Sequence, residues 1–340
     1  MRLLVWGAGA IGGTIGAYLA RAGHDVTFVD VVTEHVAAIN RSGLRITGPI
    51  AELTARAPAF TPAALHGQWD TIILATKAQH TTAATRALLP HLTLAGCVVS
   101  AQNGLNELAI AELAGEARTV GAFVNFGADY LEPGVVLYGG RGTVTVGEVF
   151  GAPRVTPRIG AIRDAWRDFD ERAAASVNVW GYLWAKEAYG AMLFATALTN
   201  DSIADALARP EYRALYIALA REILAVARAR GVTLEAFDGF DPAAYLTDAP
   251  AGSAEQSLDA LVAHNRKSAK THSGIWRDLA VRKRPTEVDA QLGIIARLGG
   301  EAGVATPLTA RLVELIHDVE RGTRPQAVAT LDALQAAVAT

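Results

Sequence analysis

One lysine lies within an almost wholly apolar stretch near the middle of this chain of 340 residues. The stretch LWAKEAYGAMLFATALTN runs from Leu183 to Asn200, and its apolar residues recur at the spacing of a buried or half-buried helix. Burying an ammonium group is costly unless the group is paired or has a chemical role. Lys186 is therefore either a surface lysine whose stem lies along apolar groups or a proton donor in catalysis.

The segment GAGAIG near the N-terminus has the glycine spacing of a dinucleotide-binding loop. It places Gly7, Gly9 and Gly12 after a predicted strand and at the start of a predicted helix. Gly7 allows the tight turn, Gly9 lets the backbone approach a pyrophosphate, and Gly12 lets the helix pack against the strand. The first helical residues, Ala10 and Ile11, bring the helix N-terminus towards the anion. We expect a bound cofactor here rather than merely a tight turn.

An acidic residue, Asp30, ends the second predicted strand. A carboxylate at this position accepts hydrogen bonds from the ribose hydroxyls and repels a 2′-phosphate. Val31 and Val32 follow it, and no arginine does. The sequence therefore favours NAD(H) over NADP(H), unless Asp30 only caps the helix that begins near Thr33. A nicotinamide implies hydride transfer, which needs a proton donor for the carbonyl oxygen.

Two kinds of periodicity divide the chain. In the first half, short apolar runs alternate with helical stretches, which predicts parallel strands in a doubly wound sheet. Residues 119–148 carry β-rich runs that predict a meander closing this domain. From about Asn178 onward the helical spacing dominates. The predicted fold class is α/β, with an N-terminal Rossmann-like dinucleotide-binding domain at 1–175 and an all-α C-terminal domain at 176–340.

Composition excludes several other classes of protein. The net charge of -3 gives no electrostatic case for binding nucleic acid or an anionic membrane. No run reaches the roughly 18 apolar residues of a membrane span, and the N-terminus lacks the pattern of a signal peptide. The single cysteine, Cys97, excludes an internal disulfide, is expected to be a core thiol and fits a cytoplasmic location. The scattered histidines predict no metal site.

Several segments together resemble the ketopantoate reductase (2-dehydropantoate 2-reductase) family. They are GAGAIGG, ATKA around Lys77, QNGLNE around Asn103, EPGVVLYGGRGTVTVGE at 132–148, LWAKEAYGAM around Lys186, and RPTEVD ending at Asp289. The resemblance extends from the N-terminus to about residue 300. It implies a Rossmann domain followed by a helical domain, reduction of a small-molecule 2-oxo acid to a D-2-hydroxy acid, and compatibility with a homodimer.

The resemblance assigns roles to four residues. Lys186 matches the general acid, and Glu287 matches the glutamate that contacts the substrate and the surroundings of the lysine. Asn103 matches the loop near nicotinamide and substrate, and Lys77 matches a lysine on the cofactor side. Each has a simpler alternative: Glu287 is then an ordinary acid in the first turn of a helix, Asn103 part of a simple turn, and Lys77 a solvated residue at a strand end.

The chain departs from the family pattern in the residues expected to line the substrate pocket. Gly190 and Phe194 stand where the family carries asparagines one and two turns after the lysine. Gly190 suggests a need for space, since glycine in a helix costs about 1 kcal/mol relative to alanine, and Phe194 is expected to form an apolar wall.

A second departure affects the group that binds the substrate carboxylate. Gly274 stands where the family has a carboxylate-binding serine, and the nearby polar candidates are Ser273, His272 and Thr271. A site built around one polar group of its substrate discriminates against analogues that lack it. We therefore expect the chemistry to be kept and the substrate to be changed.

Three functions follow from these observations. The first is an NADH-favouring oxidoreductase that interconverts a 2-oxo acid and a D-2-hydroxy acid, with a substrate bulkier or more apolar than ketopantoate. The second is the NADPH-dependent 2-dehydropantoate 2-reductase of pantothenate biosynthesis. The third is a dinucleotide-binding sensor that has lost catalysis, against which the joint presence of Lys186, Asn103 and Glu287 argues.

Overall fold

The computed structural model describes residues 1–267 and 270–338. The chain forms two compact units, Met1–Val179 and Trp180–Thr340. The first is a mixed α/β unit with a mainly parallel sheet and the second is helical, so the predicted fold class is confirmed.

The first unit contains the following elements. Its strands are β1 (Arg2–Trp6), β2 (Asp25–Val29), β3 (Leu44–Thr47), β4 (Leu53–Ala55), β5 (Ala59–Phe60), β6 (Trp69–Leu74), β7 (Leu92–Ser100), β8 (Thr119–Val124), β9 (Gly127–Glu132), β10 (Val135–Gly140), β11 (Val144–Glu148) and β12 (Ala174–Ala175). Its helices are α1 (Ala10–Arg21), α2 (Thr33–Ser42), α3 (Thr81–Leu88), α4 (Glu107–Ala114) and α5 (Pro157–Trp166).

The larger sheet has the strand order β12-β11-β8-β7-β6-β1-β2-β5. Strand β1 pairs in parallel with β2 and with β6, and Trp6 lies opposite both Val29 and Leu74. Strand β7 continues the parallel run, with Ser100 opposite Leu74. The carboxyl ends of these four strands therefore lie at one edge of the sheet, which is where ligands bind in open parallel sheets.

A smaller sheet, β4-β3-β10-β9, corrects the predicted meander. Strands β9 and β10 form an antiparallel hairpin, but β10 also pairs in parallel with β3, which lies about ninety residues earlier in the chain. Strands β8 and β11 pair with each other in the larger sheet. The β-rich run at 119–148 is therefore divided between two sheets.

The core of the first unit is made largely of the aliphatic side chains of the central strands and of α1. Cys97 lies within this core with 4% of its surface exposed, which confirms the expected core thiol. Its burial raises the pKa of the thiol, so the reactive thiolate form is disfavoured.

The second unit consists of helices joined by turns and loops. They are α6 (Val179–Thr196), whose first residue belongs to the first unit, α7 (Ile203–Ala208), α8 (Arg213–Ala229), α9 (Ser253–Arg266), α10 (Gly274–Ala280), a π-helical turn (Asp289–Gly293), α11 (Ile294–Glu301), α12 (Pro307–Glu320) and α13 (Val328–Gln335). Residues Asp289–Gly293 and Ile294–Glu301 therefore form a π-helical turn that continues directly into an α-helix.

Candidate active site

The glycine loop between β1 and α1 has two crowded glycines and one open glycine. A Cβ at Gly7, whose φ is +100°, would come within 2.9 Å of the backbone of Ala75. A Cβ at Gly12 would come within 2.1 Å of the carbonyl oxygen of Gly7. At Gly9, by contrast, no atom of the described residues beyond its own chain neighbours lies within 4 Å of that position. Because α1 begins at Ala10 and the first N–H groups of a helix lack partners within it, the open side fits a pyrophosphate.

The carboxylate of Asp30 is held beside this loop by two backbone donors. The N–H of Ala8 donates to Oδ2 at 2.9 Å, and the N–H of Val32 donates to Oδ1 at 3.0 Å. The N-cap residue of α2, directly before its first residue Thr33, is Val32, and the helix has no side-chain cap, so Asp30 does not cap it. Its partly exposed carboxylate is therefore fixed directly after β2, where a ribose hydroxyl can reach it.

The buried side chain of His35 on α2 binds the carbonyl oxygen of Ala8, the residue whose N–H donates to Asp30. The N–H of Gly134 donates to Nδ1 of His35 at 2.9 Å, so Nδ1 carries no hydrogen. Nε2 must then carry it and donate to the carbonyl oxygen of Ala8, also at 2.9 Å. The ring of Tyr130 packs edge-on against the imidazole, with centroids 5.1 Å apart. Local sequence patterns gave no signal for His35, because Gly134 lies 99 residues away.

The loops that follow β6 and β7 are tied together at the same sheet edge. Lys77 follows β6 and is partly exposed. The side chain of Gln102, which follows β7, donates to the carbonyl oxygen of Thr76 and to the hydroxyl of Thr81, both at 2.9 Å. These bonds fix the backbone next to Lys77 and were not predicted from the sequence.

Asn103 lies in a turn, and its side chain is exposed. Gly104 has a φ of +103°, the left-handed conformation that favours glycine, and the side chain of Asn106 donates to the carbonyl oxygen of Asn103 at 2.6 Å. The structure thus contains the turn of the simpler alternative. It also leaves the Asn103 amide exposed at the edge of the sheet that carries the glycine loop.

Lys186 lies on the one face of α6 that reaches solvent. The partly exposed residues of the central part of this helix recur at helical spacing: Tyr182, Lys186, Tyr189, Gly190 and Leu193. Burial lowers the pKa of Lys186 to about 8. Lys186 is partly exposed, and its amine therefore changes protonation state close to neutral pH, as a general acid requires.

Four charged residues of the second unit act on the Lys186 ammonium. After burial, the largest influence on its pKa is the carboxylate of Glu187, which raises it, followed by Lys270, which lowers it. Asp238 and Glu287 raise it further. Asp238 has a φ of +39°, uncommon for a residue other than glycine. Neither Asp238 nor Lys270 was predicted, because both lie on loops far from Lys186 in the chain.

Glu287 precedes the π-helical turn and is 8% exposed. Its position in the first turn agrees with the simpler alternative, and its charge acts on Lys186 as the resemblance implies. The preceding residue is fixed from α12, since the N–H and the hydroxyl of Thr286 both donate to Oε1 of Glu320 at 2.7 Å. Both readings of Glu287 are therefore compatible with its place in the structure.

The polar residues predicted to bind the substrate carboxylate differ in the hydrogen bonds that their side chains already make. The hydroxyl of Ser273 accepts a hydrogen bond from the N–H of Trp276 at 3.1 Å and so caps α10. His272 packs on the Trp276 ring at a centroid distance of 4.1 Å and shares a 2.9 Å hydrogen bond with the hydroxyl of Thr271. Gly274 is the first residue of α10 and is partly exposed.

The two residues of α6 that depart from the family pattern, Phe194 and Gly190, differ in their exposure. Phe194 has no exposed surface, so it is a core side chain and not the apolar pocket wall that the sequence suggested. An almost wholly apolar helix gives no periodic signal to separate such a core position from a lining one. Gly190 is partly exposed on the same face as Lys186, one turn further along.

The described residues contain neither a cluster of metal ligands nor a helix that could span a membrane. Across 1–267 and 270–338, no group of three or more His, Cys, Asp or Glu side chains is arranged to hold a metal ion. Within the same ranges, no helix combines the length and the apolar character needed to cross a membrane.

Comparison with known families identifies the chain. The model described as ketopantoate reductase PanE/ApbA matches residues 3–151, and the model of the C-terminal part of the same reductase matches residues 178–320. The chain belongs to the ketopantoate reductase family.

Curated relatives in this family differ in how much of their length is matched. The chain is 35% identical to the 2-dehydropantoate 2-reductase of Pyrococcus abyssi over 55% of its own length, and spans 60% of that relative. It is 28% identical to the 2-dehydropantoate 2-reductase of Archaeoglobus fulgidus, with 94% of this chain and 98% of the relative covered.

Two solved structures share the fold over nearly the whole chain. A PanE/ApbA family ketopantoate reductase from Ralstonia eutropha has a TM-score of 0.79 at 26% identity, covering 95% of this chain and 99% of its own. A D-mandelate dehydrogenase, solved with NADH and anilino(oxo)acetate, has a TM-score of 0.81 at 22% identity and covers the same shares. At that identity it shows similarity of fold alone.

Proposed function

We propose that the protein is a nicotinamide-dependent oxidoreductase that interconverts a 2-oxo acid and a D-2-hydroxy acid, with Lys186 as the proton donor. The observation that supports this most directly is the partly exposed Lys186, whose amine has a pKa of about 8 and lies among carboxylates in a member of the ketopantoate reductase family. The names of the full-length relatives support the same class of reaction.

Each group of residues has a distinct task in the proposed reaction. The N-terminus of α1 and the open loop at Gly9 bind the pyrophosphate, while Asp30 binds the ribose. When bound, the nicotinamide supplies or takes up the hydride. The ammonium of Lys186 polarises the substrate carbonyl and transfers a proton to its oxygen during reduction, and the neutral amine accepts that proton during oxidation.

We propose that NADH is preferred over NADPH. The Asp30 carboxylate is fixed by two backbone N–H groups, so it cannot easily turn away from a 2′-phosphate. Residues 31–34 contain no Lys or Arg that would offset the repulsion, and Glu34 adds a second exposed carboxylate. The D-mandelate dehydrogenase of similar fold was solved with NADH.

We propose a substrate bulkier than ketopantoate, because Gly190 leaves room one turn from Lys186. Phe194 adds no apolar wall to this pocket, since its side chain has no exposed surface. The second candidate is 2-dehydropantoate 2-reductase itself, which is favoured by the names of the relatives from Pyrococcus abyssi and Archaeoglobus fulgidus.

A matrix of substrates and cofactors tests the proposal. A panel of 2-oxo acids that includes ketopantoate is offered with NADH or NADPH at equal concentration, and the nicotinamide absorbance is followed. We expect the highest kcat/KM with NADH and an acid larger than ketopantoate. A strong preference for NADPH with ketopantoate would support the second candidate.

The Lys186→Ala variant tests the assigned proton donor in the same assay. We expect turnover to fall by at least about a hundredfold, while the Kd of NADH, measured by fluorescence, stays close to that of the wild-type protein. Wild-type turnover in this variant would remove Lys186 from the mechanism.

A further inference from the structure

The exposed face of α6 contains an open space next to Lys186. Gly190 follows Lys186 by four residues, so the two lie on one face, about 6 Å apart along the helix axis. A Cβ built on Gly190 would meet, within 4 Å among the described residues, only the Oε1 atom of Gln291, at 3.9 Å. The side-chain amide of Gln291 therefore borders the space that the glycine leaves.

The side-chain amide of Gln291 makes no hydrogen bond within 1–267 and 270–338, although its backbone N–H donates to the carbonyl oxygen of Glu287 at 3.0 Å. The residue is only 6% exposed. Its amide atoms are not among the fully enclosed polar side-chain atoms that lack a partner, so the small exposed part of the residue includes the amide. A ligand in the space at Gly190 can therefore reach this amide.

The backbone that carries Gln291 is also unusual. Residues Asp289–Gly293 form a π-helical turn, in which the N–H of Ile294 bonds to the carbonyl oxygen of Asp289, five residues earlier. Such turns are rare, and they occur frequently at functional sites because the wider turn changes the direction of the side chains it carries. Here the turn directly follows Glu287, whose charge acts on Lys186.

We propose that Gln291 is a substrate-binding residue whose Nε2 donates a hydrogen bond to the carboxylate of the 2-oxo acid, which occupies the space in front of Gly190. This assignment rests on the proposed function, because it takes the Lys186 ammonium to be at the substrate carbonyl oxygen. The carboxylate of a 2-oxo acid is bonded directly to the carbonyl carbon. A donor that borders the space at Gly190, one helical turn from Lys186, is therefore in reach of that carboxylate.

A neutral amide suits this position better than a charged side chain. A cation beside Lys186 would lower the pKa of its amine further, and an additional carboxylate would repel the substrate anion. An amide can also turn by 180° to present either Oε1 or Nε2, so the Oε1 atom that faces Gly190 does not prevent donation from Nε2 to an anion.

Two variants test the assignment with the best 2-oxo acid of the panel at saturating cofactor. Gln291→Leu removes the donor, and we expect KM to rise about ten- to a hundredfold, as for loss of a hydrogen bond to a charged group, with kcat changed less than about threefold. Gln291→Glu keeps the shape but adds a negative charge. It is expected to raise the KM of the acid much more than the KM of the neutral primary amide of the same acid.

Two further variants provide the controls. Gln256→Leu makes the same chemical change at an exposed position of α9 and should leave KM unchanged. Gly190→Ala adds a Cβ that fits beside Gln291, so it should fold and raise KM by filling the space. Circular dichroism and melting temperature verify the fold of each variant.

The outcomes separate this inference from the proposed function. If the wild-type protein reduces a 2-oxo acid, but Gln291→Glu and Gly190→Ala both leave its KM unchanged, the role of Gln291 is overturned and the function stands. If the wild-type protein neither reduces nor binds any 2-oxo acid, both are overturned. A raised KM for the acid in both variants, with the amide affected less by Gln291→Glu, supports the assignment.

Discussion

The protonation state of a single amine is expected to set the rate of the proposed reaction in each direction. The pKa of Lys186 is lowered to about 8, mainly by burial and against the opposing influence of Glu187. Reduction needs the ammonium and oxidation needs the neutral amine. We therefore expect kcat/KM for reduction to fall above about pH 8, and kcat/KM for oxidation to rise through the same range. Initial rates between pH 6 and pH 10 in both directions measure this.

Lys186→Arg provides the control for this pH dependence. Its guanidinium stays charged up to a pH above about 12, so the residual reduction rate of the variant should show no fall near pH 8. Wild-type profiles that are flat across this range, or that change in the same sense in both directions, would contradict the assignment of the proton donor to Lys186.

At the scale of secondary-structure elements, the backbone of Ala8 connects the glycine loop to the segment after β2 and to helix α2. Its N–H is bound by Asp30 after β2, and its carbonyl oxygen by His35 on α2, which also accepts from Gly134 in the β9–β10 hairpin. Both backbone polar groups of Ala8 are thus held before a cofactor binds, and a preorganised loop loses less entropy on binding.

We expect His35→Leu to weaken dinucleotide binding, because it frees the carbonyl oxygen of Ala8 and leaves the N–H of Gly134 unpaired. The Kd of NADH should rise about tenfold, in keeping with the loss of roughly one hydrogen bond of net stabilisation, and thermal stability should fall as well. Fluorescence titration well below the melting temperature measures the Kd.

Asn40→Leu is the matched control on the same helix. Asn40 also makes two hydrogen bonds to backbone groups, both with Ala59, at 2.8 and 2.9 Å, and neither involves the glycine loop. Asn40→Leu should therefore lower stability but leave the Kd of NADH unchanged. Equal effects of the two variants on Kd would show that His35 acts only through general stability.

The elements also show what the sequence could predict. Alternating apolar runs located the parallel strands and the glycine loop, because burial on both faces leaves a local pattern. The pairing of β3 with β10 has no local signature, so the β-rich run at 119–148 was predicted as a single meander although its strands belong to two sheets. Nor does periodicity reveal a π-helical turn. Gln291 therefore remained undetected, and Phe194 was wrongly placed as a pocket wall on a helix that is apolar on nearly all sides.

At the scale of the whole molecule, one buried carboxyl links the stability of the first unit to pH. Glu107 begins α4 and has no exposed surface. Neither of its carboxyl oxygens has a partner with hydrogen-bond geometry in the described residues, although its own backbone N–H and the nearby Ser100 hydroxyl both act to lower its pKa. Burial dominates and raises the pKa of Glu107 to about 8. The folded protein therefore holds a proton here that the unfolded chain releases.

This proton makes the folded state less stable as pH rises. Between the ordinary pKa of 4.5 and about 8, unfolding releases the proton, so each pH unit costs about 1.4 kcal/mol of stability. Glu107→Gln cannot release it. We expect the variant to gain stability relative to the wild-type protein by about this amount per pH unit from pH 5.5 to pH 7.5. Glu112→Gln, on the exposed side of α4, should show no such gain. Urea unfolding of the three proteins at several pH values measures the difference, and parallel curves for Glu107→Gln and the wild type would mean that Glu107 is already ionised in the folded state.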